Sequence, residues 1–259
     1  MPVKHDNVQR GSYSSSPLGT SVMVGLRTAD IFLQYGILAK GLADPLLSLL
    51  NVSQPLNFAP AVALGLPLKP LLILAMAAGS SIKQSYWLVY VSKEEMPPAN
   101  AVLISVFNTV FNSANSILSL TTAANAFTPG FLTAESDNGA STLLVLSSVS
   151  YFVGLAIEAV SETQRKTFKD DPKNAGKVYT GGLFGLARHI NYGAYTIWRS
   201  SYALASGGWI WGGIVAAFFS WDFANRAIPV LDEYCKSRYG ASWTEYKNKV
   251  PYKLVPGIY

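Results

Sequence analysis

The chain holds one cysteine, Cys235, in 259 residues, and two histidines, His5 and His189. A single thiol excludes an internal disulfide framework and a cysteine metal cluster. A histidine with no second His or Cys beside it offers no ligand set for a metal ion. Charge is equally scarce. Only 14% of residues are charged, against about 25% in soluble domains, while half are apolar and the mean hydropathy is +0.24. No Lys or Arg occurs from Glu94 through Gln164, and none from Gly41 through Leu68. Residues 1–11 are polar and precede no apolar core with a small-residue cleavage site, so no signal peptide is expected.

What remains is an all-α integral membrane protein. Apolar windows fall at Val22–Leu38, Phe58–Ala78, Ala101–Ala124, Leu143–Val160, Tyr195–Ala205 and Ile210–Ala224. The first four approach the roughly 20 residues that a spanning helix needs, and the last two are short and polar-edged. Six transmembrane helices are predicted, or seven if Lys40–Leu50 inserts separately. Basic residues gather at Lys4 and Arg10, at Lys83 and Lys93, over Arg165–Lys177 and over Lys236–Lys253. Six spans put those groups on one face of the bilayer, which the positive-inside bias makes cytosolic, with both termini there. The loops around Asp44–Asn57 and Phe127–Ala140 carry acid or no charge. The net charge of +5 therefore reports topology, and nucleic-acid binding is not expected.

Polarity inside the apolar windows marks candidate sites. Arg27 and Asp30 stand three apart on one helix face, where they can neutralise each other. Asn108, Asn112 and Asn115, with Ser105, Ser116 and Ser119, form a polar stripe, which suits either hydrogen bonding between helices or the lining of a substrate cavity. Lys83-Gln84-Ser85-Tyr86-Trp87 closes the second window. Tyr and Trp belong in an interfacial belt, yet Tyr86 and Tyr90, four apart, can also present phenols to a buried ligand. Pro97-Pro98 breaks the chain before the third span.

Glu158 and Glu162 repel at four-residue spacing unless a cation offsets them, and Arg165 is one turn on. Lys166–Gly181 is Lys-rich and contains Asn174-Ala-Gly-Lys177, a loop of cations and glycines able to approach a phosphate. Arg188-His189-Ile190-Asn191-Tyr192 is more specific: Arg recognises phosphate, Asn pairs with a carboxamide or base edge, and Tyr stacks or donates a proton. After Trp221, a helix over Leu231–Arg238 and a Tyr/Trp-rich arm are expected to fold back on residues 161–192.

Glu158–Glu162–Gln164, Gly182-Leu183, Arg188-His189-Ile190-Asn191-Tyr192, the tail Asp232-Glu233-Tyr234-Cys235-Lys236-Ser-Arg-Tyr239-Gly240-Ala-Ser-Trp243-Thr-Glu-Tyr246, Val250-Pro251-Tyr252 and Pro256-Gly257-Ile258-Tyr259 resemble the C-terminal domain of the steroid 5α-reductase and sterol C=C reductase superfamily. The resemblance covers about residues 150–259. Residues 1–140 share only its hydropathy plan and would form the substrate cavity, with a reductase-like unit over 141–259.

The resemblance implies an endoplasmic-reticulum membrane reductase whose cytosolic C-terminal arm clasps NADPH while a lipid-like substrate enters from the bilayer. Carried over by motif, Arg188, His189, Asn191 and Tyr192 line the cofactor, Lys173, Asn174 and Lys177 meet its phosphates, and Tyr239 and Tyr246 close the pocket. Tyr86, with Gln84 or a buried carboxylate, would supply the acid, since hydride attack on an enone builds charge on oxygen. Asn108, Asn112, Asn115 and Glu158 would face the substrate. The chain departs from the pattern at Ile190, where the family has proline, and at Tyr195, where it has an acid, which would remove a cofactor contact. The related isoprenylcysteine carboxyl methyltransferases and phospholipid methyltransferases share the Arg-His element and bind S-adenosylmethionine. A methyltransferase, another enzyme on the scaffold or a non-catalytic lipid-binding protein are the alternatives.

Overall fold

The computed structural model describes residues 13–52, 60–122, 127–134, 136 and 140–259. Lys4, Arg10, the start of the second apolar window and parts of both acidic loops lie outside them. Helices dominate: α1 Pro17–Ala39, α2 Asp44–Leu49, α3 Leu68–Tyr86, α4 Pro98–Ser119, α5 Gly130–Thr133, α6 Thr142–Asp170, α7 Ile190–Asp222, α8 Ile228–Tyr239 and α9 Ala241–Lys249. Among the described residues the only β-type pairing is an isolated bridge between Ala63 and Leu66. Proline sits in the first turn of α1, α2, α4 and α8, where its missing N–H costs no helical bond. The Ser141 hydroxyl caps α6 by accepting from the Leu144 amide at 3.2 Å.

Among the described residues, four helical runs are long and apolar enough to cross a membrane: Pro17–Ala39, Pro98–Ser119, Thr142–Asp170 and Ile190–Tyr239. The seventh span predicted at Lys40–Leu50 is the six-residue α2, about 9 Å long and too short to cross. The second predicted window is displaced along the chain, since its helix starts at Leu68 and runs on to Tyr86. The last two windows both fall within α7, which is not straight. Tyr195 and Phe219 would lie about 36 Å apart on one ideal helix, yet their ring centroids are 5.1 Å apart. The chain reverses at Gly208 (φ 69°, ψ −163°), a conformation that favours glycine. The two predicted helices are thus antiparallel arms of one hairpin.

α6 lies along α7, and α1 packs against α3 and α4. The first contact depends on Gly154: a Cβ there would meet the Trp198 amide nitrogen at 3.0 Å and the Ala194 carbonyl oxygen at 3.1 Å. Small residues allow such close backbone approach between membrane helices. Around it pack Tyr151, Trp198 and Tyr202, with Ile73, Met76 and Ala77 of α3. Gly154→Val should force the two helices apart at a cost of about 1–3 kcal/mol, read as a lower Tm of the detergent-purified protein; an unchanged Tm would refute the close packing.

Candidate functional site

One end of the bundle is a cavity of about 280 Å³, walled by the end of α3 with the following turn, the last two turns of α6, residues 178–189, α8 and α9. The C-terminal tail closes it. The Arg188 and His189 amides donate to the Tyr252 and Lys253 carbonyls at 3.0 and 2.8 Å, and Arg188 Nη1 donates to the Val250 and Pro251 carbonyls at 2.6 and 3.0 Å. The Tyr246 hydroxyl donates to the Phe184 carbonyl at 2.7 Å, and the Trp243 indole donates to Asp232 at 2.7 Å. Burial holds the Tyr246 phenol above its ordinary range. Gly193 seats the tail, since a Cβ there would lie 2.1 Å from the Leu254 carbonyl oxygen. Gln164 fixes the preceding turn by accepting from the Leu183 amide at 3.0 Å, beside Gly182 in the left-handed region (φ 52°).

The predicted cofactor residues divide. Arg188, His189, Tyr239 and Tyr246 line the cavity. Arg188 Nε and His189 Nε2 are buried and have no partner, so both are available to a ligand. Asn191 is buried but not on the cavity wall, and Tyr192 stacks between His189 and Phe223, at 5.8 and 4.6 Å; they support the wall from behind. Lys173 and Lys177 are exposed on the loop. Asn174 donates to the Phe168 carbonyl and borders a different groove, on the other side of α6. The cations facing the cavity are instead Lys93, Arg165, Lys166, Lys169 and Arg238, besides Arg188. Lys93 and Lys166 pair with Asp170. Arg165 rests on the Phe184 ring at 5.0 Å, Lys169 donates to the Tyr239 hydroxyl, and Arg238 donates to that of Tyr234 at 2.7 Å. The last two turns of α6 carried three of these, Arg165, Lys166 and Lys169, at i, i+1 and i+4, hidden within a loop-like run of lysines.

Gln84 and Tyr86 face different directions. Two residues apart on a helix, they point to different faces. The Tyr86 hydroxyl is paired with Thr163 Oγ1 at 2.8 Å and faces grooves outside the cavity. Gln84 points into the bundle, donating to Asn108 Oδ1 at 2.7 Å. The expected offset of Glu158 and Glu162 by Arg165 is replaced by Lys83, which sequence placed among the loop cations. Lys83 is buried, hydrogen-bonded to Glu158 and 3.0 Å from Glu162. Glu158 also accepts from the Trp198 indole at 2.6 Å, and Glu162 reaches the cavity wall.

Deeper in the bundle, Arg27 and Asp30 pair at 2.9 Å with both side chains fully buried. Asp30 accepts from Gln34 at 2.8 Å and from Asn112 at 2.7 Å, while Arg27 reaches Ser81 at 2.8 Å. Asn115 accepts from the Trp211 indole at 2.6 Å. The asparagine stripe therefore holds α1, α3, α4 and α7 together. Sequence reading passed over Arg199, which is buried on α7 and bonded to Asn108 and Tyr195; a cation inside the Tyr195–Ala205 window was the available signal.

Comparison with known proteins bears on this geometry. A family model described as "Protein of unknown function (DUF1295)" matches residues 97–250, and the chain belongs to that family. It is 41% identical over 244 residues to the "Probable O-methyltransferase ustE" of Ustilaginoidea virens, covering 90% of this chain and 84% of that one. It is 27% identical over 158 residues to the Delta(14)-sterol reductase ERG24B of Gibberella zeae, covering 42% of this chain and 32% of the reductase. A probable 7-dehydrocholesterol reductase of Acanthamoeba polyphaga mimivirus is 32% identical over 97 residues, which is 35% of this chain and 20% of that protein. The sterol-reductase likeness drawn from the tail thus holds, over a part of those longer proteins.

Burial, then the nearby Arg188 and Arg165, pull His189 down to about 3. The folded protein keeps the ring neutral, while the unfolded chain binds a proton near 6.5. Stability from this group is full above about pH 6.5 and is lost as pH falls toward 3, with about 2 kcal/mol gone by pH 5. The Tm of the wild type should fall between pH 7 and 5 more steeply than that of His189→Gln; parallel curves would show that the ring is not held neutral.

Proposed function

We propose that this chain is a membrane-embedded reductase that uses NADPH to reduce a carbon–carbon double bond in a lipid, sterol or terpenoid-like substrate. The observation that carries the reading is the cation set at the cavity. Arg165, Lys169, Arg188 and Arg238 face it and are satisfied by aromatic rings, hydroxyls and backbone carbonyls; none of them forms an ion pair with a carboxylate among the described residues. Such a group attracts phosphates, with guanidinium forks matching their oxygens. The unpartnered Arg188 Nε and His189 Nε2 and the Trp87, Tyr239, Trp243 and Tyr246 rings give the same cavity polar and stacking contacts for a nucleotide. Similarity to sterol reductases supports the same cofactor.

When bound, NADPH would supply hydride. The chain's own part is to orient it, exclude water and hold a proton. Tail and α9 cover the cavity from outside. Glu162 stands at its inner wall with Lys83 and Glu158 behind it, two carboxylates against one ammonium. That excess is either one unit of buried negative charge or one stored proton, and Glu162 is placed to pass a proton toward the cavity. This cluster takes the acid's role that sequence reading gave to Tyr86 and Gln84. The arrangement fits a protein of six crossings in the endoplasmic reticulum, the cavity end and both termini in the cytosol, and residues 1–140 enclosing the substrate.

One observation favours a second reading, an S-adenosylmethionine-dependent methyltransferase: the full-length likeness to a protein named as one. A sulfonium would meet the aromatic rings and the Glu94, Glu162 and Asp170 carboxylates that also line the cavity.

Thermal-shift titration with NADPH, NADH and S-adenosylmethionine separates the two. Binding stabilises by RT ln(1 + [L]/Kd), about 2.7 kcal/mol at a hundredfold excess. NADPH should shift the Tm most, and Arg238→Gln should weaken it about tenfold. A shift with S-adenosylmethionine alone would overturn the reductase reading in favour of the methyltransferase.

A further inference from the structure

Arg199 is a buried cation without an anion. It is 2% exposed, and among the described residues no carboxylate pairs with it. Its Nε donates to the Tyr195 hydroxyl at 3.0 Å and its Nη2 to Asn108 Oδ1. Its Nη1 has no partner. The guanidinium lies 4.6 Å from the Trp198 ring and 5.2 Å from that of Tyr195, with Phe111 and Phe219 next, at 5.8 and 5.9 Å. Aromatic faces offset part of the lost hydration, but an arginine cannot shed its proton, and a lone charge at membrane depth is costly. Glu158 sits one residue away through the Trp198 indole, and it is already engaged by Lys83.

The neighbourhood repeats the pattern. Ser105 Oγ, Gln84 Oε1 and Asn112 Oδ1 are also buried and unpartnered. Ser105 and Asn112 stand one turn to either side of Asn108 on α4, and Gln84 shares Asn108 Oδ1 with Arg199. Of these atoms the Ser105 hydroxyl can donate, while the two amide oxygens only accept. A polar ligand group seated here satisfies the cation and the hydroxyl together.

We propose that Arg199 and Ser105, with Asn108 holding the guanidinium in place, recognise the carboxylate of an acid-bearing amphiphile held between α3, α4 and α7. This deepens the reductase reading, resting on its lipid-like substrate, and narrows that substrate to an anionic one. A carboxylate fits better than a phenol, because it is ionised near neutral pH while a phenol near 10 must first be deprotonated. The Tyr195 hydroxyl stands where the reductase pattern has an acid. An acid at that position, one turn before Arg199, would neutralise the guanidinium from within the chain; tyrosine leaves the charge for a ligand.

The test uses the full chain in nanodiscs of zwitterionic lipid, without cofactor, with 2-bromohexadecanoate and its neutral counterpart 2-bromohexadecan-1-ol as probes, each carrying its bromine beside the polar end. Bromine quenches the indole that it approaches, and Trp198 lies against Arg199. The acid should quench saturably, with a half-saturation roughly tenfold below that of the alcohol. The preference should survive Arg165→Gln at the cofactor cavity and vanish in Arg199→Gln. Should Arg199→Gln fail to fold, Tyr195→Glu supplies the missing counter-ion and should abolish the preference while keeping the fold. Equal quenching by acid and alcohol, or an acid preference that persists in either folded variant, overturns the proposal. A parallel NADPH titration keeps the readings apart, since acid preference without an NADPH shift would sink the reductase alone.

Discussion

A charge inside an apolar slab is tolerated only beside something that answers it, and the interior of this bundle is organised around that demand. Arg27 answers Asp30, and Lys83 answers Glu158 and Glu162. These pairs tie α1 to itself and α3 to α6, and the amides and hydroxyls of α3 and α4 fill the coordination left over. Lipid offers helices no hydrophobic reason to associate, so polar bonds and close small-residue contacts must hold them. Gly154 provides the second kind where α6 meets α7. The membrane core is therefore not a generic oil-filled bundle, since its polar seam sets which helix neighbours which.

The same logic, turned outward, makes the cavity. Where α6 emerges, Arg165 and Lys169 find rings and a hydroxyl in place of carboxylates, while Lys166 pairs with Asp170, and all three are left facing one volume. α9 covers that surface and the tail braces its wall through backbone hydrogen bonds to residues 188 and 189, which is why Arg188 serves two functions. One guanidinium nitrogen holds residues 250 and 251 while Nε stays free. Loss of this residue would therefore disturb the lid as well as the ligand, and its effect on binding alone could not be assigned to either. Arg165 and Arg238 are cleaner probes, because their protein contacts are to aromatic side chains.

The helical membrane plan, the Arg27–Asp30 pair and the clasping tail were legible in the sequence, because each follows from spacing along one helix or from a motif in one stretch. The hairpin in α7 was half legible: two short windows implied two helices, but only the positive φ at Gly208 shows that one helix turns back on itself. Contacts across many residues were not legible. Lys83 looked like a loop cation because its partners lie 75 and 79 positions away on α6. The lysines at 173 and 177 looked like phosphate ligands because loop charge says nothing about the direction in which a loop faces. Gln84 and Tyr86 looked like a pair, although helical geometry already set them on different sides.

Tyr195 unites these threads. From the sequence it was a missing cofactor contact, the one position where the reductase pattern loses its acid. In the fold Tyr195 does not line the cation-walled cavity at all; it packs on Trp198, Phe219 and Phe223 and accepts from Arg199. The substitution thus leaves the cavity intact and changes the electrostatics of the membrane interior. An apolar residue in place of Arg199 would relieve the cost of burying a cation without a counter-ion. Retaining both the tyrosine and the arginine is the arrangement expected if the counter-ion arrives with the substrate.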